Sequence, residues 1–234
     1  MVSPHFGILL AAFTILSVTT VLVAVQDEAE DEGLPSVELR EFDVHEATLT
    51  ELAQQLSRAA QVGVCVEDRR KGTFTFALEN VTLRDVLNKI VATDPRYVWR
   101  WDAETKLVNV YPRAGAPLDW RIAELSFEDK TIDEVLFSGD LLGLKKHDIM
   151  FTHFGGNVSW LETPVSLNAE DITARQAMNL LCRQLGFKAR WELWKREPRQ
   201  ARARRILMIR GYGVEPPQPA EDADENQDDN KPHE

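Results

Sequence analysis

Between residues 190 and 210 the chain sets Arg190, Lys195, Arg196, Arg199, Arg202, Arg204, Arg205 and Arg210 against only Glu192 and Glu197, with Trp191 and Trp194 among them. Guanidinium groups pair with phosphate and carboxylate oxygens, and indole faces accept flat or cationic groups. A basic hairpin of this kind would grip an anionic polymer or lipid head groups. The candidate contacts are Arg190, Trp191, Trp194, Lys195, Arg196, Arg202, Arg204 and Arg205. The competing reading is a solvated hairpin whose arginine stems cover the tryptophan rings.

His147, Asp148 and His153 form the one local group of metal-capable side chains. In an extended strand, however, six residues separate the two imidazoles by about 20 Å, too far for one ion to bridge. No glycine-rich phosphate loop, nucleophile elbow or HExxH helix occurs. The expectation is therefore a chain with no catalytic site, no metal and no cofactor. Cys65 and Cys182 permit one disulfide, but each falls in an apolar pattern and reads as a small buried hydrophobe.

The elements that must position these residues are marked by threonine. Thr48, Thr82, Thr131 and Thr173 are each followed three residues on by Glu51, Asp85, Glu134 and Gln176. That offset is a capping box, in which the two side chains satisfy backbone N–H groups left open at a helix start. Behind Thr82 run Leu83, Val86, Leu87, Ile90 and Val91; behind Thr173 run Ala174, Ala177, Met178, Leu181 and Cys182, both at helical spacing. Six and four residues before the caps stand Phe42 and Val44, Phe76 and Leu78, Leu125 and Phe127, Leu167 and Ala169, the alternation of a strand. The spacing predicts helices at 48–60, 82–94, 131–142 and 173–186. It predicts further strands at 64–67, 146–154 and 158–161, and hairpins at 97–111 and 187–210. Arg100-Trp101-Asp102 in the first hairpin matches Arg190-Trp191-Glu192 in the second. The expected fold is α+β: two tandem β-α-β-β-α-β-β repeats, at 37–112 and 120–212, each a small mixed sheet with two helices, joined by a 113–119 linker.

The charge lies outside this body. Residues 26–32 carry five acids, and residues 214–234 carry eight against Lys231 alone. Those flanks sum to −12 against −11 for the whole chain, so the body is near neutral. Residues 26–36 read as an acidic linker and 213–234 as an acidic tail too polar to build a core. Phe6 to Val25 contains no charged residue, and residues 1–25 suit either a cleaved signal peptide or a membrane anchor. Both place the body outside the cytoplasm, periplasmic or held on the inner membrane.

The strand–helix units, such as Phe76-Ala77-Leu78-Glu79-Asn80-Val81-Thr82-Leu83-Arg84-Asp85-Val86-Leu87 and the Thr48-Leu49-Thr50-Glu51-Leu52 start, resemble the short N-terminal domain (STN) shared by bacterial secretins and TonB-dependent transducers. The resemblance covers 37–112 and, more loosely, 120–212. It implies a non-enzymatic module of the bacterial envelope that docks a partner protein through a sheet edge or helix face. This chain departs from that family in carrying no pore or barrel sequence downstream. The alternative function is capture of an anionic envelope polymer or nucleic acid by the 190–210 hairpin.

Overall fold

The computed structural model describes residues 33–68, 72–152, 159–185, 188–195 and 205–212. All four threonines close the reciprocal pair that their spacing predicts. The backbone N–H of Glu51, Asp85, Glu134 and Gln176 donates to the hydroxyl of Thr48, Thr82, Thr131 and Thr173, and each threonine N–H donates back to the acid or amide. Three of these caps start regular helices: α1 (Leu49–Ala60), α2 (Leu83–Thr93) and α3 (Ala174–Gln184). The fourth does not. In place of a helix over 131–142 the chain makes a five-residue π-helix, Glu134–Ser138, closed by the Gly139 N–H on the Glu134 carbonyl. A Cβ at Gly139 would lie 2.2 Å from that carbonyl oxygen, so only glycine fits there. Thr82→Ala and Thr173→Ala should each cost on the order of 1 kcal/mol in chemical denaturation.

A second regularity precedes each cap. Glu46, Asn80, Asp129 and Asp171, two residues before the four threonines, all take positive φ, between 48° and 51°. Asn and Asp tolerate this left-handed turn; glutamate has no local side-chain bond to favour it. The N–H of Glu46 is taken by Thr75 Oγ1 and that of Asp129 by Ser166 Oγ, both at 2.9 Å. Glu46 is exposed, so Glu46→Gly removes strain without losing packing. It should stabilise the fold by about 0.5–1 kcal/mol, read as a shift of the denaturation midpoint.

The strands are β1 (Glu38–Ala47), β2 (Gly63–Asp68), β3 (Phe74–Thr82), β4 (Tyr97–Asp102), β5 (Leu107–Pro112), β6 (Arg121–Thr131), β7 (Ile149–Phe151), β8 (Pro164–Thr173), β9 (Ala189–Lys195) and β10 (Arg205–Gly211). β7 is shorter than the strand expected over 146–154, because 3-10 turns at Leu144–His147 consume its start; its expected end falls outside the described residues. Ser159–Glu162 is also 3-10 rather than strand. β1 pairs with β3 and β6 with β8 as antiparallel ribbons, each with a register shift just before its cap.

The other six strands form one mixed sheet in the order β4-β5-β2-β9-β10-β7. The fold is thus α+β, but the two halves do not keep separate sheets: β2 and β9 pair in parallel across them. Alternation along the strands sorts side chains to two faces. Val64, Val66, Trp99, Trp101, Val108 and Val110 pack with α1 and α2 in one core. Cys65, Leu107, Trp191, Leu193, Leu207, Ile209 and Phe151 pack with α3 and the π-helix in the other. Each half therefore covers the opposite face of a shared sheet.

Candidate functional site

Of the residues singled out between 190 and 210, the described ones do not share a surface. β9 lies between β2 and β10, and β10 between β9 and β7, so these two described strands are interior to the sheet. Arg190 and Trp191 are 0% exposed and have no surface to offer a polymer. Trp194 is half-buried, Lys195 exposed and Arg205 half-buried; Arg196, Arg202 and Arg204 lie outside the described residues. Arg190 serves the fold instead. Its guanidinium donates to the Val64 carbonyl and pairs with Glu192 at 2.9 Å, and Arg210 closes on the same carboxylate at 2.6 Å. Burial pulls the Arg190 pKa down, against the pull of Glu192. His147 stacks on Trp120 with ring centroids 3.8 Å apart, His153 lies outside the described residues, and among the described residues no group of side chains is suited to hold a metal.

What the structure assembles is a seam between the halves that joins apolar packing of Cys65 and Leu107 to a set of polar contacts. Glu67, at the end of β2, is fully buried. It accepts from Arg175 Nε at 2.6 Å and from the Leu118 N–H at 2.9 Å. Arg175, in the first turn of α3, also pairs with Asp119 at 2.7 Å and lies 3.7 Å from the Tyr111 ring centroid. Burial pushes the Glu67 carboxyl up, and Arg175 offsets this only in part. One turn further along α3, Asn179 donates to Asp102 at 2.8 Å and accepts the Trp191 indole N–H at 2.7 Å. The Trp191 backbone N–H meets Cys65 Sγ. Both cysteines are free, buried thiols, and burial raises Cys65 to about 12, which makes them inert packing groups.

Among the described strands the sheet ends in β4 on one side and the short β7 on the other. β4 turns Tyr97, Trp99 and Trp101 into the α1–α2 core and leaves Arg100 exposed and Val98 half-buried. The Trp99 indole donates to Asn88 on α2 at 3.0 Å, and Arg84 of α2 sits 5.8 Å from the Trp99 ring centroid. The tryptophan that serves α2 as Trp191 serves α3 is therefore Trp99, and the Trp101–Trp191 match is displaced by two residues.

Comparison with family models, with curated proteins and with solved structures gave no match to this chain. Among the described residues no helix is long and apolar enough to cross a membrane, and residues 6–25 lie outside them.

Proposed function

We propose that this chain is a non-catalytic docking module of the bacterial cell envelope, made of two copies of one strand–helix unit and exported or tethered by residues 1–25. Support for the two copies is geometric. Strand orders β4-β5-β2 and β9-β10-β7 run alike along the sheet. Asn88–Trp99 repeats as Asn179–Trp191, and Glu46–Thr75 repeats as Asp129–Ser166. The resemblance of both units to the short N-terminal domain of secretins and TonB-dependent transducers supports the envelope setting and the docking role.

The observation that carries the docking reading is β4. Six residues long, it pairs with β5 on one side and with no described strand on the other. An open edge of that length offers backbone N–H and C=O groups to an added strand. The partner is an envelope protein that pairs along this edge. A photo-cross-linking amino acid at Val98 of the full chain, activated in cells, should give a discrete adduct with another protein. The same group at Ser126, exposed on β6, should not. No adduct from Val98, or equal adducts from both positions, would sink the assignment.

A further inference from the structure

Between the fourth cap and β7 the chain turns its leucines inward and two large apolar side chains outward. Val135, Leu136, Leu142 and Leu144 are buried in the α3 core. Phe137 is 56% exposed and Leu141 41%, the two exposed large hydrophobic side chains among the described residues. Backbone bonds fix their positions. The Leu141 N–H reaches the Val135 carbonyl, the Gly143 N–H reaches that of Asp140, and the Asp140 carboxylate takes the Lys145 N–H at 3.2 Å. A Cβ at Gly139 would lie 3.7 Å from Leu141 Cδ2, so the leucine lies over the glycine two residues beyond Phe137. Lys145 and Lys146 follow at once, both exposed. The Arg205 guanidinium donates to the His147 carbonyl and its backbone N–H to that of Asp148, and Lys195 is its partner across the β9–β10 ladder. Four cations thus meet Asp140 and Asp148 at this corner of the sheet, beside two apolar side chains that the fold leaves in water.

We propose that this corner rests on an anionic membrane surface, with Phe137 and Leu141 entering the head-group region and Lys145, Lys146, Lys195 and Arg205 meeting lipid phosphates. An interface rich in anionic lipid rewards this combination twice, by burying the apolar pair and by attracting the cations. A polyanion such as nucleic acid would use the charge but has no apolar layer to take Leu141. The chain's own acidic tail also supplies charge, but residues 213–234 hold no leucine, isoleucine or phenylalanine to cover the apolar pair. Chain length favours the membrane as well. Residues 26–32 alone lie between Val25, where the uncharged segment ends, and Gly33, where the described residues begin. Fully extended they span at most about 25 Å, so a segment retained in the bilayer would hold the body at its surface. The contact rests on the tethered form of the proposed module and is separate from the β4 edge.

The test places a nitroxide at Ser138→Cys in the full chain, reconstituted in vesicles of phosphatidylglycerol and phosphatidylcholine in equal parts, or of phosphatidylcholine alone. Ser138 is exposed between the two apolar residues, and the native thiols are buried. Electron paramagnetic resonance then compares collisions of the label with oxygen, which concentrates in lipid, and with a water-soluble nickel chelate. In the anionic vesicles the label should read as immersed in lipid, and the same label at Ser126→Cys, on β6, as aqueous. Phosphatidylcholine alone should reduce the immersion at 138; this comparison uses one labelled protein and does not depend on further variants folding. Lys145→Gln and Lys146→Gln should each lower the ratio of immersed to aqueous label about fivefold. A label at 138 that stays aqueous in the anionic vesicles overturns the proposal, as does immersion that neither lysine change reduces. Equal immersion at 126 overturns it too. Slowing of the 138 label without vesicles, on adding single-stranded DNA or on raising the protein concentration, would assign the corner to a polyanion or to a second copy and overturn it. A chain that stays with the vesicles while 138 reads aqueous leaves the tether standing and sinks this contact alone. Immersion at 138 in a chain that high salt strips from the vesicles does the reverse.

Discussion

Arg175→Met is expected to be among the most damaging single changes in the protein, at about 3–5 kcal/mol. Glu67 would stay buried in the seam without the Arg175 guanidinium, and the Leu118 N–H does not replace that pairing. The deficit should depend on pH. Burial raises the folded-state pKa of Glu67 above its unfolded value, so the folded protein takes up that proton first as the pH falls. Stability from this group is thus present at low pH and lost as pH rises through the window between the two values. Without Arg175 the folded value climbs further and the window widens upward. Urea denaturation should therefore show a larger gap between wild type and variant at about pH 7 than at about pH 5. An equal gap at both would mean that the loss is one of packing against Tyr111 and not of charge.

Trp191→Ala is the second large effect, about 3–5 kcal/mol for emptying a fully buried aromatic site. The side chain fills the α3 core while its backbone N–H meets Cys65 across the seam. Trp191→Phe separates the contributions. It keeps most of the ring volume but leaves Asn179 Oδ1 without its donor at 2.7 Å, and should cost about 1–3 kcal/mol. Loss of Trp191 should also raise the reactivity of Cys65 and Cys182 toward a thiol reagent in native buffer. Thiols that stay protected in Trp191→Ala would show that the core closes over the gap.

The parts of this fold that sequence foretells are local. A threonine and an acid three residues apart satisfy each other whatever the rest of the chain does, and all four pairs formed. The π-helix broke the pattern because Gly139 stands five residues after Glu134 and lets the carbonyl be reached from there, a signal that apolar periodicity does not register. The seam was illegible because Glu67 and Arg175 stand 108 residues apart, and nothing near either names the other. The burial of Arg190 and Trp191 was missed for a different reason. The arginines between 190 and 210 drew attention to a surface, yet Ile206-Leu207-Met208-Ile209 is an unbroken apolar run, the mark of a strand covered on both faces. Arg190 and Glu192, two apart on a strand, share a face and can neutralise each other there. Those two features together distinguish an interior strand pair from an exposed one.

The shared sheet also sets an order of events during synthesis. β2 meets β5 within its own half, but its other edge waits for β9; Val64 and Arg190, which bond across that edge, are 126 residues apart. At a synthesis rate of about 5–20 residues per second, that edge stays open for roughly 6–25 s after β2 is made. For that interval Glu67 lacks Arg175, and Cys65 lacks the cover of Trp191. The nascent chain thus passes through a stage with a bare apolar strand and a reachable thiol, and a holding chaperone would act on that stage before the second half arrives to close it.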